Sequence, residues 1–175
     1  MTPIVRRTCA IALTCLLAAA CKSAPRERPI PMGPVDTGAG SVTAARKFLE
    51  GRWVLESFEV YPPGKAPITL KGSGDLLYDD FGNLKMEIRA DQQSSDLLRA
   101  AGIDIRDGVI STEGRTAIDL QNHTLTYTVE GQVANKGPLA INRPRHWEVQ
   151  NDVLTLTTKD ESGKPLSVGK WRRSQ

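Results

Sequence analysis

The sequence predicts an all-β domain built from short antiparallel strands. Two observations carry this. Leu84, Met86, Ile88 and Ala90 alternate with Lys85, Glu87 and Arg89, the period of a half-buried strand. Turn-forming clusters recur between apolar runs: Asp79-Asp80-Phe81-Gly82-Asn83, Gln121-Asn122-His123, Gln150-Asn151-Asp152 and Glu161-Ser162-Gly163-Lys164. Regularly spaced short strands joined by such turns form a sandwich or a barrel. The chain lacks a long βαβ alternation, which disfavours a parallel sheet.

Residues 1–20 read as a signal peptide. Arg6 and Arg7 supply a positive start, and the apolar run Cys9–Ala20 follows. That run is too short to span a bilayer, which takes about 20 residues. Leu17-Ala18-Ala19-Ala20-Cys21 resembles the lipobox of bacterial lipoproteins, where small residues precede a cysteine that is diacylated and becomes the first residue after cleavage. Ala18 stands where that motif prefers Leu, and Leu17 is one place early. The alternative is a plain secretory signal cut after Ala20. Cys15 is a poorer lipid site, because Leu13 and Thr14 are poor cleavage neighbours. The resemblance implies a palmitate-type anchor on Cys21, and two or more acyl chains hold a protein stably on a membrane. Lys22 follows the cysteine, and by the same resemblance this implies the outer membrane, facing the periplasm.

Composition fits that location. Hydrophobic residues make up 39% and charged residues 25% of the 175, so a buried core is expected. The formal charge is +3, but removal of Arg6 and Arg7 leaves 21 basic against 20 acidic residues, or +1. No basic stripe interleaved with aromatics is present, which argues against nucleic-acid binding. All three cysteines, Cys9, Cys15 and Cys21, fall in the first 21 residues. The body therefore uses neither disulfides nor thiolate metal ligands.

Residues 21–41 read as a lipidated flexible linker. Pro25, Pro29, Pro31 and Pro34, with Gly33, Gly38 and Gly40, break any hydrophobic period. The folded domain is expected over 42–175. Ser41 is placed to cap a short helix running to Glu50, with Ala44, Ala45, Phe48 and Leu49 as its apolar positions. Strands are expected at Arg52–Tyr61, Asp75–Tyr78, Leu84–Ala90, Val109–Leu120, Thr124–Glu130, Arg145–Gln150, Val153–Thr158 and Leu166–Arg172. In the first of these, simple alternation puts Trp53 and Leu55 on one face and Val54, Phe58 and Val60 on the other. Residues 92–101 read as an amphipathic helix with Leu97, Leu98 and Ala101 on its packed side.

Gly51-Arg52-Trp53-Val54-Leu55-Glu56-Ser57-Phe58-Glu59 resembles the first strand of the bacterial lipocalin-like domain family. Gly74-Asp75-Leu76-Leu77-Tyr78-Asp79-Asp80-Phe81-Gly82-Asn83-Leu84 is similar to that family's second hairpin. Thr126-Tyr127-Thr128, Arg145-His146-Trp147 and Val153-Leu154-Thr155-Leu156 follow its course, and the likeness covers about residues 47–173. It implies an antiparallel calycin-like barrel of about 8–10 strands with one or two short helices. It also implies that Trp53 meets a cation near the C-terminus, Arg172 or Arg173, which closes the barrel floor at ~0.5–2 kcal/mol.

Catalysis finds no support. His123 sits in a turn, and His146 alternates outward if Trp147 points inward. Ser-His-Asp spacing, HExxH and a Gly-rich phosphate loop are all missing from the sequence, and no cofactor or metal is implied. Arg143, Arg145, Trp147 and Val149 share one strand face, with Pro144 able to distort the first step. If Trp147 and Val149 face the interior, Arg145 does too, and a buried guanidinium requires a partner. Asp119 or Glu113 would serve. So would a ligand carboxylate, as in intracellular fatty-acid-binding barrels; the alternative is an Arg145 at the barrel mouth, solvated or paired on the surface. Tyr127 alternates inward with Leu125 and Val129, so its hydroxyl needs an internal partner. The expected ligand site is therefore Arg145, Trp147 and Tyr127, and the expected ligand is small, apolar or amphiphilic. The rival expectation is a side-chain-filled barrel that works through its surface. Large apolar inward residues would favour the rival, and small or polar ones around a void would favour a ligand.

Overall fold

The computed structural model describes residues 40–103, 105–129 and 137–174. The expected signal peptide, Cys21 and nearly all of the linker lie outside the described residues.

Helix α1 (Val42–Leu49) begins where Ser41 accepts the Ala44 N–H at 3.0 Å. Ala45 and Leu49 are buried beneath it, and Phe48 is 50% exposed. Nine strands follow: β1 (Gly51–Val60), β2 (Ile68–Leu70), β3 (Gly72–Tyr78), β4 (Asn83–Ala90), β5 (Val109–Asp119), β6 (Thr124–Thr128), β7 (Arg145–Gln150), β8 (Val153–Lys159) and β9 (Pro165–Arg173). Helix α2 (Gln92–Ala100) lies between β4 and β5.

All the strands belong to one antiparallel sheet in the order β2-β1-β3-β4-β5-β6-β7-β8-β9, and β1 pairs with β9 to close it. β2 and β3 use the same edge of β1 in succession. Phe58 pairs with Leu70 and Val60 with Ile68, while Gly51 pairs with Tyr78 and Val54 with Asp75. The closed barrel thus has 8 staves. The fold is an all-β barrel of lipocalin-like type with two short helices.

The structure corrects the faces expected for the first strand. Trp53, Phe58 and Val60 are all buried in one core, and Val54 is 41% exposed. The register explains this. Leu55 pairs with Trp171, but Ser57, two residues on, pairs with Lys170, only one residue back. Glu56 is the extra residue of a β-bulge, which reverses the alternation after it. Strand β2 was not expected; it is three residues long and follows Pro67. The β6 ladder ends at Thr128, short of the expected Glu130, which lies outside the described residues.

Helix α2 also departs from expectation. Leu98 is buried, but Leu97 is 48% exposed, and the packed side is completed by Ser94 and Ser95. Polar residues fit there because their hydroxyls are bonded. Ser94 Oγ accepts the Lys71 N–H at 2.9 Å, and Ser95 Oγ donates to the Asp91 carbonyl at 2.8 Å.

Candidate functional site

The barrel interior holds the site residues that matter. Trp53, Trp171 and Tyr127 are among its largest fully buried side chains. Phe58, Met86 and Leu156 pack with them in one cluster. Among the described residues, a cavity of about 40 Å³ opens between Phe58, Met86, Leu156 and Trp171. By the ordinary requirement of about 10–15 Å³ per water, that is room for a few waters.

At the barrel end beside α1, the Arg173 guanidinium carbon lies 4.1 Å from the centre of the Trp53 ring. Arg173 Nη1 donates to the Glu50 carbonyl at 2.8 Å and Nη2 to the Phe48 carbonyl at 2.5 Å. Trp53 Nε1 donates to the Leu49 carbonyl at 2.8 Å. Arg172, the other expected partner, points outward and pairs at the surface with Glu56. Neighbouring residues on a strand face opposite ways, so only one of the two arginines can reach the indole.

Arg145 and Tyr127 come together. The Arg145 guanidinium carbon stands 4.2 Å from the centre of the Tyr127 ring. Tyr127 in turn shares a buried 2.6 Å hydrogen bond with the Tyr78 hydroxyl. Burial raises both phenols above the ordinary value of 10.0, and the nearby Arg145 charge partly offsets this. Tyr78 had no place in the sequence-derived site; its inward position beside a turn gives no sign of a cross-barrel partner.

Arg145 is held by backbone, not by the acids that the sequence suggested. Nη1 donates to the carbonyls of Ile141 at 2.8 Å and Arg143 at 2.9 Å, and Nη2 donates to Ala140 at 3.3 Å. Asp119 instead caps its own turn, accepting the Gln121 and Asn122 N–H groups at 3.0 Å. Glu113 is exposed and sits 3.8 Å from Lys85. Arg143 lies before β7, in the loop after Pro138, and so does not share the strand face expected for it.

Trp147 packs against the core from β7 but is not among the residues lining the cavity. It stacks on His123 with ring centres 4.6 Å apart and a 26° interplanar angle. His123 Nδ1 is 3.2 Å from the Trp147 carbonyl oxygen, so this turn histidine closes on the neighbouring strand. Among the described residues, Trp147 Nε1 is buried without a hydrogen-bond partner. His146 is exposed on the outer face.

Among the described residues, no three His, Cys, Asp or Glu side chains gather as a metal would require. No described helix is long and apolar enough to cross a membrane. No family model matches the chain, and no curated protein matches it either.

Proposed function

We propose that this chain is a lipid-anchored envelope protein whose side-chain-filled barrel works by contact through its outer surface, without catalysis. The observation that carries the filled-barrel part is the cavity of about 40 Å³ left between Phe58, Met86, Leu156 and Trp171. Sites that enclose a small organic molecule run to about 300–1,000 Å³. An acyl chain inside the barrel would have to displace aromatic side chains that are packed against one another, at a cost of several kcal/mol. This favours a surface-acting role over carriage of an apolar cargo.

The anchor rests on sequence: the positive Arg6-Arg7 start, the short apolar run and Cys21. It places the domain in the envelope, on the outer membrane. On the outer wall, a hollow is lined by Glu56, Glu148, Lys170 and Arg172 with Gln150 and Thr155, a mixed-charge surface suited to a polar partner.

The test has two readouts on the full-length protein expressed in a bacterium. Metabolic labelling with an alkynyl palmitate analogue should tag the wild type and leave Cys21→Ser untagged. Native mass spectrometry of the detergent-solubilised protein should then show the anchored chain with no second lipid. An untagged wild type defeats the anchor. A stoichiometric co-purified lipid whose acyl chain gives NMR cross-relaxation to Phe58, Met86 and Leu156 defeats the filled barrel.

A further inference from the structure

Arg145 presents a charge that nothing described in the structure neutralises. None of the ion pairs among the described residues includes it. It is half-buried, and among the described residues it is the only charged side chain lining the 40 Å³ cavity. A guanidinium out of bulk water is costly without an anionic partner. Three backbone carbonyls take three of its five hydrogens. The Nε–H and one Nη2–H remain without a partner among the described residues. Nε and Nη2 share one edge of the planar group, the side-on fork that matches two oxygens of one anion.

The surroundings of that fork are polar in an ordered way. Arg145 pairs across the ladder with Thr158, and Thr158 pairs with Ser167. These three side chains form one inward row across β7, β8 and β9, and all three line the cavity. Thr112 lines it from β5. Thr112, Thr158 and Ser167 are each buried. Hydroxyls at such positions donate to an anion as readily as to water. The Arg145 guanidinium carbon stands 4.2 Å from the centre of the Tyr127 ring, which helps to hold the group at this wall of the cavity.

We infer that this corner of the barrel binds a small carboxylate, held by the side-on fork of Arg145 and by the hydroxyls of Thr158 and Ser167. The cavity admits a carboxylate with little more than a methyl group attached, while Phe58, Met86 and Trp171 bar a longer tail from the lumen. The carboxylate belongs either to a free short-chain acid or to the head of an amphiphile whose tail stays outside the barrel. The site is independent of the membrane anchor and compatible with a filled lumen.

Titrating the full-length protein with sodium acetate, at constant ionic strength, tests this. The readouts are Trp171 emission and the NMR signal of the Arg145 Nε–H, assigned by its disappearance in Arg145→Lys. Acetate should shift both and saturate, and the uncharged isostere acetamide should shift neither. Thr158→Val keeps shape and burial but removes one donor, and it should weaken acetate binding about tenfold. Ser167→Ala should act likewise, so the case does not depend on Arg145→Lys folding. Decanoate binding as acetate does assigns the site to free acids, and markedly tighter binding assigns it to an amphiphile's head; either supports a carboxylate site. Equal responses to acetate and acetamide, no saturable response to acetate, or wild-type affinity in both hydroxyl variants overturns the proposal.

Discussion

The Arg173 guanidinium covers the Trp53 indole at 4.1 Å and, in the same position, donates to the carbonyls of Phe48 and Glu50. One side chain therefore joins the last strand, the first strand and the end of α1. A cation at a helix C-terminus also complements the dipole of the helix.

Replacing Arg173 with Met keeps the stem and removes the charge and donors. The expected loss is about 1–3 kcal/mol of stability. Arg173→Lys should fall between the two, since an ammonium can face the indole but lacks the fork. Urea denaturation followed by Trp emission measures both. A wild-type midpoint for Arg173→Met would mean that α1 docks without this contact.

The Tyr78–Tyr127 hydroxyl pair should behave as a unit. Tyr127→Phe leaves the Tyr78 hydroxyl buried with no partner, at about 1–3 kcal/mol. The double Phe variant should cost less than the two single variants added together, and a double-mutant cycle reads this coupling directly. Alkali gives a second readout. Both phenols titrate above 10.0 in the fold, so the folded state holds protons that the unfolded chain gives up. Their contribution is complete below pH 10.0 and is lost as pH rises beyond it. Alkaline denaturation should therefore be shallower in the double Phe variant.

Acid acts through four aspartates in turns and at a helix cap. Asp79, Asp91, Asp119 and Asp160 each accept hydrogen bonds that hold their carboxyls below the usual range. The first causes are Asn83, Ser94, Asn122 and Ser162 in turn. Their contribution is present above the ordinary aspartate value of 3.8 and is lost as pH falls through the lower folded values. Asp→Asn at all four should flatten the loss of thermal midpoint below that pH. An unchanged acid limb would show that other carboxylates drive it.

Gly169 reports on how full the barrel is. A Cβ there would stand 2.8 Å from Trp171 Nε1 and 3.2 Å from Phe58 Cδ2. Gly169→Ala should destabilise by about 1–3 kcal/mol, because rings packed on all sides must move. Full tolerance of the alanine would indicate more room in the lumen than the packing allows.

Much of this architecture was legible from alternation and turns. β7 spans Arg145–Gln150 as read, and Ser41 and the Asp79–Asn83 turn act where their chemistry places them. Glu56 was not legible, because a bulge depends on the partner strand's register and a single strand's residues do not record it. β2 was missed because three residues are too few to display a period. At the candidate site, inward parity allowed Arg145 and Tyr127 to meet, but it equally allowed Tyr127 simply to pack in the core, and only the fold shows their contact. The carbonyl partners of Arg145 were not legible either, since backbone acceptors are the same at every position in a sequence. Thr158 and Ser167 were passed over because hydroxyl residues on strands are common, and only the ladder sets them beside Arg145.

Among the described residues, the β6–β7 ladder consists of two pairs, Thr124 with His146 and Leu125 with Arg145. Every other junction around the cylinder has at least three, the shortest being the β1–β2 ladder. Thermal opening should therefore start at this joint, with fast amide exchange at Tyr127, whose N–H points away from β5 just beyond the last β6–β7 pair. Once parted, the two strands would offer raw borders to a neighbouring molecule. Wherever copies are held close together, strand exchange would begin here, and a clamp across this joint would be the most effective way to prevent it.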